Sequence, residues 1–323
     1  MKIWIIDEEW PDYDYEIETL TKQFPGVEIK TSTYDIAGDF ESFGQYADGI
    51  LAQVYAELPA PVIERLQNCK GIAVYGGGYE KLDIEACRKK GIKATNIQGY
   101  CAEDVADYVI AAIYHGYKQI GPYSAHVQEA VNQGLWGATA ATHIGHRLSE
   151  QSLLVLGLGG IGSVVARKAK AIGLNVLVFD EYADPGKIKD AGYEPVAWND
   201  GFARADYISI NLRGCEANFD RVGATEFDLM KPTAWLINTA RGPIIKEAEL
   251  IEAAKAGKIG GAVLDVICNE PPHGDNPIMH CPNIYVTPHV SYMSVESYKA
   301  LKEYAVGNLI AMLTGKPPRD PIV

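Results

Sequence analysis

The chain has 323 residues, of which 47% are hydrophobic and 22% are charged, as is typical of a globular protein with a full core. This composition excludes a disordered chain, and the length favours two domains. The formal net charge of −13 disfavours nucleic acid or an anionic membrane as a partner, because both require a positive surface, but it allows a small anionic substrate.

The N-terminal apolar run, residues 2–6, is too short for a signal peptide, and no later stretch approaches the length of about 18 apolar residues that a membrane helix needs. The six cysteines show no C-x-x-C spacing. We therefore expect a cytoplasmic protein whose thiols are reduced. His143 and His146 lie three residues apart but have no third ligand nearby, so no metal site is predicted.

Short β-branched runs alternate with helical patterns in the first hundred residues. Strands are predicted at 2–6, 27–33, 49–55, 71–75 and 92–96, and helices at 12–23, 59–69 and 83–90. Strands separated by single helices pair in parallel, because a crossover connection is needed between them. A long helix with acidic residues in its first turn is then predicted over 101–120.

The alternation restarts after a stretch rich in Gly, Ala and Thr at 134–145. Strands are predicted at 152–157, 174–180, 205–211, 234–240, 260–266 and 283–288, and helices at 161–172, 246–257 and 294–314. The pattern predicts an α/β fold with two doubly wound parallel sheets.

A glycine turn joins the first of these later strands to a helix. Gly157, Gly159 and Gly162 form G-x-G-x-x-G, and the next strand ends at Asp180. Such glycines allow a tight turn, close approach of a pyrophosphate and close packing of the helix, whose N-terminus attracts phosphate. Asp180 would accept hydrogen bonds from a ribose and repel a 2′-phosphate, so NAD is favoured over NADP. The alternative is a glycine turn that only packs a strand against a helix.

Three polar residues follow three predicted strands of the second sheet. Arg241 follows one strand, Glu270 lies shortly after the next, and His289 follows the last. Ligands bind beyond the carboxyl ends of parallel strands. A guanidinium can hold a carboxylate through two parallel hydrogen bonds, and a histidine beside a carboxylate can protonate a carbonyl oxygen as it gains charge. Each residue alone could also be a surface charge, a solvated loop acid or a capping imidazole.

These residues lie in motifs that resemble the D-specific 2-hydroxyacid dehydrogenase family. The resemblance spans residues 71–307 through VYGGGYEKLDIEACRKKGIKATNIQGYCAEDVADY, VLGLGGIG…VFD, LMKPTAWLINTARGPII, GAVLDVICNEPP and TPHVSY. It implies two Rossmann- or flavodoxin-like domains with a cleft between them. Residues 1–100 and 291–323 would form the substrate domain, and 101–290 an inserted NAD-binding domain through which the protein would form a homodimer.

The resemblance also implies the roles of individual residues in an NADH-dependent reduction of a 2-oxoacid to a D-2-hydroxyacid. Arg241 would clamp the substrate carboxylate, His289 would be the general acid/base and Glu270 its partner. The remaining substrate contacts would come from Gly77, Gly78, Tyr55, Tyr75 and Tyr292. The coenzyme contacts would come from Gly157, Gly159, Gly160, Ile161, Gly162, Asp180, Asn211, Leu212, Thr239, Ala240 and Asp265.

The chain departs from the family pattern after the strand that ends at Asn211. Leu212, Arg213 and Gly214 stand where the family commonly has a His-x-Pro-Leu run, so the adenine pocket differs and Arg213 is a candidate second anion contact. One alternative function is an NAD-sensing, corepressor-like protein on the same scaffold. Another is an enzyme acting on formate or on a phosphorylated hydroxyacid, although residues 50–58 and 71–79 contain no Lys or Arg for a phosphate.

Overall fold

The chain divides into two compact units. A computed structural model describes all 323 residues. Unit 1 comprises Met1–Tyr100 and Ser294–Val323, and unit 2 comprises Cys101–Met293. Each unit contains one parallel sheet, of five strands in unit 1 and seven in unit 2, which confirms the predicted α/β class with two doubly wound sheets.

The sheet of unit 1 has the strand order β2-β1-β3-β4-β5, and all of its neighbouring strands are parallel. Strands β3 and β4, in the middle of the sheet, are buried along their whole length. Because both of their faces are covered, their sequences are largely apolar and do not alternate with polar residues. The strands are β1 Lys2–Ile6, β2 Glu28–Ser32, β3 Gly49–Gln53, β4 Gly71–Tyr75 and β5 Lys93–Thr95.

The three predicted helices of the first hundred residues are shorter than the sequence pattern suggests, and a fourth, α2, was not predicted. They are α1 Asp14–Gln23, α2 Ala37–Ser42, α3 Ala60–Arg65 and α4 Ile84–Lys90. Helix α3 stops well before the predicted end at residue 69, because Leu66 adopts an extended conformation and packs in the core. Asp83 caps α4 by accepting a hydrogen bond from the Ala86 N–H, and the left-handed Gly91 ends it.

Unit 2 begins with two consecutive helices, α5 Ala102–Lys118 and α6 Ile120–Asn132. The helix predicted over 101–120 corresponds to α5, and α6 was not predicted. Gln119 lies between the two with φ 48°, in the left-handed region, and this turns the chain into α6. No residue of α6 is buried.

The seven-stranded sheet of unit 2 has the order β12-β11-β10-β9-β6-β7-β8. Alternate residues of β6 contribute to two separate core clusters, one on each face of the sheet. The strands are β6 Ser152–Leu156, β7 Asn175–Phe179, β8 Glu194–Pro195, β9 Tyr207–Ile210, β10 Trp235–Asn238, β11 Gly261–Leu264 and β12 Ile284–Val286. The strand order reverses between β6 and β9, and this is the place where doubly wound sheets bind their ligands.

Five helices follow β6 in unit 2 and cover the sheet. They are α7 Gly160–Ala171, α8 Pro185–Asp190, α9 Trp198–Arg204, α10 Ala224–Leu229 and α11 Glu247–Lys255. The chain then returns to unit 1 as α12 Val295–Leu313, which packs against β3 and β4. No helix combines the length and the apolar character needed to cross a membrane.

Candidate active site

The glycine turn connects β6 to α7 with geometry that only glycine allows at two positions. Gly157 has φ +90°, and its N–H donates to the Phe179 carbonyl at 2.8 Å. A Cβ on Gly162 would lie 1.9 Å from the Gly157 carbonyl oxygen. Cβ atoms on Gly159 or Gly160, by contrast, would meet nothing within 4 Å, so the turn has open space in front of the first residues of α7. That space and the N–H groups of the helix N-terminus fit a pyrophosphate.

Asp180 follows β7 and is held by three backbone N–H groups. One carboxylate oxygen accepts from Leu158 N at 2.7 Å, and the other accepts from Tyr182 N at 2.8 Å and Ala183 N at 2.9 Å. Burial by itself would raise the pKa of Asp180, but the three hydrogen bonds outweigh it, and the net pKa is lowered. The side chain is therefore a carboxylate beside the glycine turn, as a contact to the ribose of NAD requires.

Asn211 follows β9 and lies against the same turn. A Cβ on Gly157 would lie 2.8 Å from the Asn211 carbonyl oxygen and 3.4 Å from the Leu212 side chain. The Asn211 Nδ2 donates to the carbonyl and to the hydroxyl of Ser209, both at 3.1 Å, while its Oδ1 is buried and has no hydrogen-bond partner. A buried acceptor of this kind is costly unless a ligand supplies a donor. Of the remaining predicted coenzyme contacts, Ile161 is the second residue of α7, and Thr239 and Ala240 directly follow β10.

Arg241 lies in the loop after β10, and the buried Asn238 at the end of that strand holds the loop. The Asn238 Oδ1 accepts from Ala240 N at 3.0 Å, and its Nδ2 donates to the Arg241 carbonyl at 2.9 Å. The Arg241 Nη1 donates to the Ala240 carbonyl at 2.7 Å. Sequence reasoning missed Asn238, whose only signal was a polar side chain inside the apolar run LIN.

His289 and Glu270 form a direct pair in unit 2. The His289 Nδ1 lies 2.8 Å from Glu270 Oε2, and the Glu270 Oε1 accepts a hydrogen bond from Ile267 N at 2.9 Å. Both side chains are about three-quarters buried, with exposures of 25% and 22%. His289 has φ 56°, a conformation that is uncommon for residues other than glycine and that often occurs at functional sites.

Asp265, the residue after β11, organises the loop that carries His289. It is buried, and its carboxylate accepts from Thr287 Oγ1 at 2.6 Å, from Val290 N at 2.9 Å and from Ser291 N at 2.8 Å. Its backbone carbonyl also accepts from His289 N at 3.0 Å. The structure therefore places the Asp265 carboxylate against the loop that carries His289.

Arg241, Glu270 and His289 follow three neighbouring strands. The sheet order places β10, β11 and β12 side by side and parallel, so the loops after them emerge at one edge. The loops after β10 and β11 are in backbone contact, because a Cβ on Gly242 would lie 2.0 Å from the Ile267 carbonyl group. The ring of Tyr292 lies 6.4 Å from that of His289 in an edge-on orientation.

The residues predicted from unit 1 follow two strands of the other sheet. The glycine loop after β4 is fixed by Asn96, whose Nδ2 donates to the Gly77 carbonyl at 2.8 Å. The trans peptide then directs the Gly78 N–H away from Asn96. Tyr55 follows β3, and its ring lies 6.3 Å from that of Tyr34. Tyr75 is 1% exposed and donates from its hydroxyl to the buried Glu16 at 3.2 Å, so its side chain packs inside unit 1.

The doubly wound unit 2, its glycine turn with an acidic residue after the next strand, and the Arg, Glu and His at neighbouring strand ends are features of an NAD-dependent oxidoreductase. The sequence profile of the D-isomer specific 2-hydroxyacid dehydrogenase NAD binding domain matches residues 111–291. The chain therefore belongs to the D-isomer specific 2-hydroxyacid dehydrogenase family, and its coenzyme is NAD.

Individual relatives are similar over most of their length. The chain is 31% identical to a glycerate dehydrogenase of Methylorubrum extorquens, with 80% of each chain covered. It is 29% identical to a glyoxylate reductase of Korarchaeum cryptofilum, covering 84% of this chain and 81% of that one. The solved structure of a 2-hydroxyacid dehydrogenase from Ketogulonicigenium vulgare superposes with a TM-score of 0.84 at 26% identity, covering 100% of this chain and 98% of that one.

Proposed function

We propose that the protein reduces a small 2-oxoacid to the D-2-hydroxyacid with NADH, and that it also catalyses the reverse reaction. The observation that carries this proposal is the His289–Glu270 pair, 2.8 Å apart, on the strand-end loops next to that of Arg241. Reduction of a carbonyl next to a carboxylate requires a positive charge that holds the carboxylate and a proton donor near the carbonyl oxygen. Arg241 and His289 would supply these two groups.

When bound, NADH supplies the hydride that reduces the substrate carbonyl carbon. Glu270 accepts a hydrogen bond from the Nδ1–H of His289, which fixes the tautomer and stabilises the protonated ring. His289 then donates the proton on Nε2 to the substrate oxygen as that oxygen becomes an alkoxide, and in the reverse direction it takes the same proton back. Asp265 keeps the loop of His289 in place, because its carboxylate binds the backbone N–H groups of the next two residues.

We assign the substrate carboxylate to Arg241 and to the N–H groups of Gly77 and Gly78. An arginine can bind a carboxylate through two parallel hydrogen bonds, which also sets the orientation of the carbonyl group. Asn96 supports this assignment, because its hydrogen bond to the Gly77 carbonyl sets the direction of the Gly78 N–H. Tyr55 and Tyr292 are proposed to contact the substrate side chain, whereas the buried Tyr75 would support the glycine loop from within unit 1.

The direct test is kcat/KM for NADH oxidation across a panel of 2-oxoacids. The relatives named glyoxylate reductase, hydroxypyruvate reductase and glycerate dehydrogenase place glyoxylate and hydroxypyruvate first in the panel. Pyruvate, oxaloacetate, 2-oxoisocaproate and phenylpyruvate then test larger and charged side chains. We expect turnover with at least one of these and a D-configured product. NADH binding without turnover of any of them would favour the NAD-sensing alternative instead.

Replacing Asp180 by asparagine should lower the preference for NADH over NADPH by about tenfold or more, because a carboxylate close to the 2′-phosphate costs several kcal/mol. Because the pKa of Asp180 is lowered in the folded protein, its carboxylate stabilises the fold above the unfolded pKa, and this stabilisation is lost as pH falls through the folded pKa. The lowered pKa also keeps the side chain negatively charged in mildly acidic buffer. The preference for NADH in the wild type should therefore persist into mildly acidic buffer.

The measurement is the ratio of kcat/KM values for NADH and NADPH between pH 5 and 8, the range in which a carboxyl with a lowered pKa stays ionised. Asp190→Asn is the matched control, since Asp190 is an exposed residue at the end of α8. An unchanged ratio in Asp180→Asn would remove Asp180 from the coenzyme site.

We also propose that the protein is a homodimer formed through unit 2. Helix α6 has no buried residue, yet it carries Val127 and Val131 and is followed by Trp136, which is 72% exposed. An open cavity of about 540 Å³, lined by residues that include Tyr108, His115 and Tyr285, lies in the same unit. A second copy that covers these apolar surfaces would remove them from water.

The double substitution Val127→Glu and Val131→Glu should convert the dimer to a monomer, because it places two charges on the proposed interface. Light scattering on the eluting protein measures the mass. Ile17→Glu is the control, since Ile17 is a similarly exposed apolar residue on α1 of unit 1. A monomeric wild type, or a double variant that remains a dimer, would contradict the proposed interface.

A further inference from the structure

The segment that departs from the family pattern after β9 packs directly on the catalytic-site arginine. A Cβ built on Gly214 would lie 2.4 Å from Arg241 Cγ and 3.4 Å from both Cβ and Cδ of the same side chain. Real Cβ atoms essentially never approach another heavy atom closer than 3.0 Å. The backbone of Gly214 therefore covers the aliphatic part of Arg241 with no room for a side chain.

We propose that Gly214 is a positioning residue for the proposed reaction, and that its missing side chain selects the conformation of Arg241. The inference rests on the proposed function, in which the Arg241 guanidinium binds the substrate carboxylate. Turn geometry does not explain the glycine, because the φ of Gly214 lies outside the left-handed region. The three atoms nearest to a Cβ at this position all belong to Arg241.

Arg241 is held at its backbone and at its guanidinium, so a small adjustment between these two points cannot relieve a clash at Cγ. Asn238 binds the Arg241 backbone carbonyl at 2.9 Å, and the guanidinium donates to the Ala240 carbonyl at 2.7 Å. The clash would fall on Cγ, one bond beyond Cβ. Relieving it requires rotation about χ1, which moves the guanidinium by several ångströms, rather than a small adjustment at the end of the side chain.

The Gly214 segment is also held. The Asn218 Nδ2 donates to the Arg213 carbonyl at 2.9 Å, and the Asn218 Oδ1 accepts from Arg221 Nη1 at 2.9 Å. A methyl group at position 214 would therefore displace Arg241 in preference to the loop. A misplacement of about 1 Å in a group that orients the substrate can cost about 10²-fold in rate.

The substitution Gly214→Ala should lower kcat/KM for the best 2-oxoacid by about 10- to 10²-fold and leave the Kd for NADH unchanged. The informative measurement is a double-mutant cycle with Arg241→Ala, which removes the Cγ atom. In that background Gly214→Ala should cause no further loss of kcat/KM, because the clash is absent. Gly307→Ala in α12 is the control for the same chemical change, since a Cβ there meets nothing within 4 Å.

The four proteins of the cycle, which are the wild type, Gly214→Ala, Arg241→Ala and the double variant, are also compared by thermal unfolding. This second comparison separates the inference from the proposed function. Gly214→Ala should lower Tm in the wild-type background and much less in the Arg241→Ala background, whether or not a substrate has been found. If the glycine variant does not fold, restored folding in the double variant is the expected result. Additive effects in both cycles would overturn the inference, and so would a weakened Kd for NADH, because the coenzyme contacts Asn211 and Leu212 lie on the same segment. Tm coupling without any 2-oxoacid turnover in the wild type would instead reject the proposed function, and the positioning role with it.

Discussion

Replacing His289 by glutamine should lower kcat for 2-oxoacid reduction by about 10²–10⁴-fold, which is the usual contribution of a positioned general acid. Glutamine can donate a hydrogen bond, but it cannot release a proton to an alkoxide. The Kd for NADH should stay close to that of the wild type, because His289 is held by Glu270 and by the Asp265 and Thr287 carbonyls rather than by the glycine turn. Steady-state kinetics and the fluorescence of bound NADH measure the two quantities separately.

The pH dependence distinguishes a proton donor from a residue that only shapes the site. Reduction by the wild type takes its proton from His289, so kcat/KM should fall as pH rises. The glutamine variant should show a flat profile at its reduced rate over the same range. His280→Gln is the matched control, since His280 is an exposed histidine in a short helical turn of the same unit. Near wild-type activity in His289→Gln would exclude the assignment.

Glu270→Gln should weaken the same step through His289. The glutamine can still accept at one atom, but it no longer carries the negative charge that stabilises the protonated ring at 2.8 Å. We expect the fall in kcat/KM with rising pH to begin at a lower pH than in the wild type. A variant with lower activity but an unshifted profile would indicate that Glu270 only holds the loop, through its hydrogen bond to Ile267 N.

The positions of all the strands except β8 could be predicted because their patterns are local, whereas the two residues of β8 form no such pattern. The buried strands β3 and β4 are apolar runs ended by polar or glycine residues, and β4 has the predicted bounds. The predicted helix over 101–120 corresponds to α5, whereas α6 was not predicted. Gly121 and Pro122 usually mark the end of a helix, but here they lie in the first turn of α6, where proline is tolerated because the first N–H groups of a helix have no partner within it.

Some residues of the candidate site could be predicted, because their chemical type and their position at the end of a strand indicate a role. The glycine turn, Asp180 and the three polar residues at strand ends are of this kind. The residues that hold them are not. Asn238 binds both the Ala240 N–H and the Arg241 carbonyl, because the chain turns sharply after β10. Thr287 donates to Asp265, because the parallel strands β11 and β12 bring their ends together. The first contact depends on the conformation of the turn and the second on the register of the strands, and the sequence alone indicated neither.

Arg241→Lys should raise KM for the 2-oxoacid and lower kcat together, with a loss in kcat/KM of about 10- to 10²-fold. Lysine keeps the positive charge but cannot form two parallel hydrogen bonds, and one hydrogen bond to a charged group is worth about 1.5–3 kcal/mol. Its ammonium group also cannot both donate to the Ala240 carbonyl, as the guanidinium does at 2.7 Å, and bind the substrate in a fixed orientation. A loss of charge alone would raise KM, whereas a loss of orientation also lowers kcat.

Arg204→Lys is the control for the same exchange, since Arg204 is an exposed arginine paired with Glu194 and Asp200 in unit 2. It should leave both kinetic constants and the Kd for NADH unchanged. In Arg241→Ala, added guanidinium ion should restore part of the lost kcat/KM, because the site that would hold it remains lined by the Ala240 carbonyl. An increase in KM without any change in kcat would show that Arg241 attracts the carboxylate but does not orient the carbonyl, and the carbonyl would then have to be oriented by another group, with Arg213 the first to test.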